Sequence, residues 1–274
     1  MVQVFDALLA LPTPVMAVIV LAFWGLVSFF VHRFVVPRLC GADGRALGRF
    51  EAEVTSQIAL AFGLLISFNA VWVWERSERV QAAIHDEATA LGRIIDDAED
   101  IVASDIAAET LPLAAEKSSA ILRAVRTYAV DMADREWPKL TDGSVDAARP
   151  DTLKSLRATL RLHGDDVMRD ALDTVDAARE LRIRDGTTYM QRSRWGVVFL
   201  LAVLLLISIG ALHGEAPRGR KLALTLVTLA ISFCFVVLFV NARPFVGPHA
   251  MKPDALRKIA ERVGNPAEDT VAGH

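Results

Sequence analysis

The chain has 274 residues, is 53% hydrophobic and 23% charged, and carries a formal net charge of −3. A soluble domain has similar charge but less apolar content, and here the two classes are separated, with apolar residues in four blocks and charges mostly between them. Lys and Arg are interleaved with Asp and Glu instead of forming a basic stripe, so nothing in the charge pattern calls for a nucleic-acid partner.

A helix needs about 20 apolar residues to cross the hydrocarbon core of a bilayer. The first predicted span covers about residues 14–36. It is not read as a signal peptide, because residues 1–14 hold no Lys or Arg and no small-residue cleavage site follows, so it is expected to be retained. The second span covers about 54–74, the third 195–212 and the fourth 222–240. Trp72 and Trp74 end the second and Trp195 begins the third, positions where aromatic rings anchor at the membrane interface. Short loops at about 40–50 and 213–220 join the spans in pairs, giving a pair of helical hairpins in the membrane. The two cysteines, Cys40 and Cys234, have neither CxxC spacing nor a histidine pair, which argues against a disulfide framework or zinc site.

About 120 residues separate the hairpins, and their apolar positions recur at helical spacing. Val80, Ile84, Leu91, Ile94, Ile95 and Ile101 form one row, and Leu122, Val125, Ala129 and Met132 a second. Leu153, Leu156, Leu160, Val167, Leu172 and Val175 form a third. Breaks are expected at Leu111-Pro112, at Trp137-Pro138 and in the turn Thr141-Asp142-Gly143-Ser144. The rows predict three long helices, roughly 76–108, 112–136 and 151–192, the first continuous with the second span. The fold class is therefore an all-α membrane protein, two transmembrane hairpins with a long-helix domain inserted between them. The expected divisions are 1–74, 75–193, 194–241 and a tail from 242 to 274, the tail holding a short amphipathic helix at 253–263 and ten disordered residues at its end.

Charge leaves the orientation open. Arg38, Arg45, Arg49, Arg218, Arg220 and Lys221 lie on the short-loop side, and a larger set that includes Arg76, Arg79, Arg182, Arg184, Arg192 and Arg194 lies on the other.

The second span holds the stretch of most interest. Leu60, Leu64 and Phe68 are four residues apart and share a helix face. Gly63 and Ser67 form a small-xxx-small pair that permits close helix approach, and Asn69 is a polar group at membrane depth. Ser67, Asn69 and Gly63 have two readings: they pack against neighbouring helices, or they line a pore. Glu75, Arg76, Glu78 and Arg79 follow directly.

The run from Gly63 to Phe68, followed by Trp74-Glu75-Arg76, resembles the second transmembrane helix of the bestrophin channels. The stretch Glu87-Ala88-Thr89-Ala90-Leu91-Gly92 and the tail Arg243-Pro244-Phe245-Val246-Gly247 resemble the bacterial bestrophin-like domain family. Where bestrophins continue Arg-Trp-Trp-Glu, this chain reads Arg76-Ser77-Glu78-Arg79. The resemblance implies a homopentamer around a central pore in the bacterial inner (plasma) membrane, with the helical domain cytoplasmic. It places the hydrophobic neck at Leu60, Leu64 and Phe68, with the charges of Glu75, Arg76, Glu78 and Arg79 in a vestibule. The implied partners are the lipid bilayer, further copies of the chain and permeant small ions.

Other clusters read more plainly. Asp96-Asp97-Ala98-Glu99-Asp100 is expected as a solvated helix face, because adjacent helical carboxylates do not converge on one cation. His85 and Asp86 point about 100° apart on a helix, which weakens a metal reading. No Gly-rich phosphate loop, GxSxG or HExxH is present, so neither an enzyme nor a cofactor is expected. The alternative to an oligomeric channel is a membrane sensor or scaffold whose helical domain binds a ligand or partner without ion conduction.

Overall fold

A computed structural model of the chain describes residues 11–41, 51–104, 111–188, 192–247 and 250–264. All regular structure among them is helical, and four helices are long and apolar enough to cross a membrane. The residues ahead of 11, the loop residues Arg45 and Arg49, the side chain of Arg192 and the last ten residues lie outside the described residues.

The chain forms two compact units. The first comprises Met1–Glu75 and Tyr189–Ala250, and the second Arg76–Thr188 and Met251–His274. Helix α1 (Thr13–Phe30) passes through a π-helical turn (Val31–Val35) into α2 (Val36–Cys40). Helix α3 runs unbroken for 53 residues, Ala52–Ser104, and contributes to both units. The continuity expected from the absence of a Gly-Pro break is therefore present.

The second unit continues with α4 (Leu111–Asp131), a second π turn (Met132–Glu136) and α5 (Trp137–Asp142). Helices α6 (Asp151–His163) and α7 (Asp166–Thr187) follow. The remaining spans, α8 (Arg192–Leu212) and α9 (Pro217–Asn241), belong to the first unit, and α10 (Asp254–Arg262) to the second.

The two π turns have one cause. Proline lacks an N–H and its ring presses on the carbonyl four residues back. Each π turn ends two residues ahead of such a proline, Pro37 or Pro138. The last residue before it donates five residues back, Val36 N–H to the Val31 carbonyl and Trp137 N–H to that of Met132. One extra residue per turn relieves the clash without ending the helix. The helix expected to stop at 136 therefore continues through Trp137-Pro138 and ends at Gly143, whose φ of 74° is the left-handed conformation that glycine adopts freely.

The long helix expected over 151–192 is instead two helices. Gly164 adopts an extended backbone, and the Asp165 carboxylate accepts from the Met168 N–H at 2.8 Å as the N-cap of α7. The interruption resets the helical phase. Val167, expected in the core row, is 62% exposed, and Met168 is buried in its place.

Within the first unit, α1 packs on α9, and α9 on α8. Trp24 stacks on Phe199 with ring centroids 5.6 Å apart and meets Phe235 at 5.1 Å, while Phe199 and Phe235 lie 4.6 Å apart. Lipid is as apolar as leucine, so contact density rather than water exclusion holds such helices together. Gly210 on α8 lies so close to α2 that a Cβ there would sit 2.5 Å from Val36 Cγ2.

In the second unit, Val80, Leu91, Ile94 and Ile95 of α3 are fully buried, as are Ile121 and Val125 of α4 and Leu153, Leu156 and Leu160 of α6. The amphipathic tail helix, α10, buries Leu256 and packs on α4. Arg262 on its far turn bridges Asp96 and Glu99.

Candidate functional site

On the portion of α3 that belongs to the first unit, side chains divide by helical phase. Phe62, Ile66 and Val73 join the core with α1, α8 and α9. Leu60, Leu64 and Phe68 point away from it, 73%, 55% and 63% exposed. Ser67 is on the same uncovered side, its hydroxyl donating to the Gly63 carbonyl at 2.8 Å, which satisfies the group locally. A Cβ at Gly63 would meet nothing within 4 Å. Asn69 is on the opposite side, only 3% exposed, with Nδ2 lacking a hydrogen-bond partner.

The uncovered edge belongs to the least apolar of the four spans, and also the one with the smallest buried share. The exposed face of α9 carries Leu222, Leu226, Leu229 and Phe233, with Thr225 among them. That of α3 mixes Leu60, Leu64 and Phe68 with Ser56, Gln57 and Ser67.

The charges after the span also divide. Glu75, Glu78 and Arg79 are exposed, whereas Arg76 is buried. Arg76 Nε donates to the Asp185 carbonyl and Nη2 to that of Gly186 at 3.2 Å. These carbonyls end α7 and have no partners within their own helix, so Arg76 acts as a C-terminal cap carrying a favourable charge. Arg79 Nε reaches the Asp185 carboxylate at 2.8 Å. Burial works to raise the Asp185 pKa, but hydrogen bonds from Arg79 and Arg184 prevail and hold this carboxyl below the usual range.

Deeper in the second unit lies a charged network whose connections sequence reading missed. Arg182 donates to both oxygens of Glu87 and, from Nη2, to Glu136 at 3.0 Å. Arg179 forks the other oxygen of Glu136 and reaches the Ala148 carbonyl at 3.2 Å. Tyr128 donates to Glu87 at 2.7 Å, and the Arg182 guanidinium lies 5.2 Å from the Trp137 ring centroid. Burial first, then the Glu87 carboxylate, hold the Tyr128 phenol well above its ordinary pKa, so it remains a donor. Glu136 closes the second π turn, so the turn that accommodates Pro138 also sets where this carboxylate enters the network. Glu87 opens the stretch that carried the resemblance, but its partners lie 41 and 95 residues away. No local pattern announces them.

Four apolar helices, an all-helical fold and an inserted charged helical unit define a multi-span helical membrane protein. The family model of the Bestrophin-like domain matches residues 19–256, and the chain belongs to that family. No curated protein and no solved structure matches it.

Proposed function

We propose that the chain is one subunit of a homo-oligomeric ion channel of the inner (plasma) membrane, with its helical unit in the cytoplasm. Five copies surround an axis lined by α3. The observation that carries this reading is the uncovered Leu60, Leu64 and Phe68 edge on the span least suited to face lipid. Rings of these side chains form an apolar constriction that expels water until it widens. Glu75 and Glu78 recur on the same edge by helical spacing, so carboxylates follow the neck and act on ions by charge. Ser67 contributes a small, internally satisfied wall to the neck. Asn69 and Arg76 take no part in the conduit: the first packs between helices and the second caps α7.

The test is planar-bilayer conductance of the purified protein and of Phe68→Ala, with the copies per particle counted by electron microscopy. A ring with an axial hole is expected, with measurable wild-type current and altered conductance in the variant. A monomer, or a particle that passes no current in either form, overturns the proposal.

A further inference from the structure

A second feature of the membrane unit shares no residue with the Leu60, Leu64 and Phe68 edge. Helices α1 and α9 leave an open cleft of about 630 Å³ between them. Its lining changes character with depth. One end carries His32, Arg33 and Lys221. The hydroxyl residues Ser28, Thr225 and Thr228 line the middle, and Leu21 and Leu229 the far end. At 1.5 Å rise per residue, Lys221 and Leu229 are about 12 Å apart along α9. No carboxylate lines the cleft.

Two further observations point to an occupant. Thr228 is 5% exposed, lines the cleft, and has a hydroxyl with no hydrogen-bond partner. His32 Nδ1, at the charged end, is likewise buried without a partner. Unsatisfied polar groups at membrane depth are costly, and a ligand oxygen would satisfy both. Gly25 has open space beside it, since a Cβ there would meet nothing within 4 Å. The π turn Val31–Val35 carries His32 and Arg33, so the bulge that accommodates Pro37 also presents the charged end.

From this gradient we infer that the α1–α9 cleft binds an anionic phospholipid. The phosphate pairs with Arg33 and Lys221, the glycerol-ester region meets the Thr228 hydroxyl, and one acyl chain runs past Gly25 to Leu21 and Leu229. Basic residues on an otherwise apolar interhelical cleft are the recognised chemistry for such headgroups. The exposed positions of Arg33 and Lys221 leave them accessible from the membrane surface.

The experiment is native mass spectrometry of the full chain, delipidated in detergent and then offered phosphatidylglycerol or phosphatidylcholine. The wild type is expected to retain phosphatidylglycerol preferentially. The double variant Arg33→Gln/Lys221→Gln removes two cations, each worth about fivefold beside anionic headgroups, so it loses roughly twenty-five-fold of that preference. Gly25→Leu keeps both charges and fills the chain channel, and it is expected to lower phosphatidylglycerol occupancy several-fold; the free space at Gly25 lets this variant fold. Equal retention of the two lipids by the wild type overturns the inference, as does a preference unchanged in both variants. Thermal stabilisation of the delipidated protein by inorganic phosphate alone, matching that from phosphatidylglycerol, overturns it in favour of a free-anion site.

Discussion

Arg182 on α7 and Glu87 on α3 meet as a two-pronged pair, Nε to Oε2 at 2.8 Å and Nη2 to Oε1 at 3.1 Å, with neither side chain exposed at all. Burial disfavours the Arg182 charge, but Glu87 and then Glu136 outweigh it and keep the guanidinium protonated. The pair ties the extramembrane stretch of α3 to α7 across 95 residues of sequence. Removing one partner would strand a charge in a dry interior.

Glu87→Ala is therefore expected to cost about 3–5 kcal/mol, because Arg182 would keep only Glu136. Arg182→Met in the same background should restore some of that loss, since it removes the stranded charge. Thermal unfolding of the two single variants and the double variant forms a cycle. A double variant as unstable as the sum of the singles would contradict a coupled buried pair.

Asp97 gives a pH-dependent test. Burial, followed by the neighbouring charges of Asp165, Asp100 and Asp96, raises its pKa above the ordinary carboxylate range. The folded state then holds its proton to higher pH than the unfolded state, so stability falls as pH rises from the unfolded pKa through the folded one. Asp97→Asn is expected to raise the unfolding temperature at pH 7 and to change it little near pH 3, where the wild-type carboxyl is mostly protonated in both states. Asp165→Asn should act in the same direction, because asparagine caps α7 as well as aspartate does. Asp165→Ala removes the same charge but loses the cap, at a cost of about 1 kcal/mol. Melting curves from pH 3 to pH 8 in which Asp97→Asn is no more stable than the wild type at pH 7 would contradict a raised carboxyl, and an Asp165→Asn curve that matches the wild type would show that burial alone raises it.

Asn69 tests helix packing against the proposed permeation path. Its buried amide has an unpartnered Nδ2, so replacement by an apolar side chain removes a desolvation cost of about 1–3 kcal/mol. Asn69→Leu is expected to maintain or raise the unfolding temperature and to leave single-channel conductance at its wild-type value. A change in conductance with unchanged stability would place Asn69 at the conduit.

The sequence by itself determined the spans and the class. A run of some 20 apolar residues has few alternatives to crossing a bilayer, and helical periodicity shows which side of each helix is apolar; both are local properties. Spacing also set Leu60, Leu64 and Phe68 on one edge. Tertiary structure alone decided which edge is covered, because coverage depends on how α1, α8 and α9 pack against α3. It likewise made Arg76 a cap rather than a free charge, and joined Glu87 to Tyr128, Glu136 and Arg182. A buried charge is tolerated only where partners converge, and that convergence is a property of the packed chain rather than of any segment.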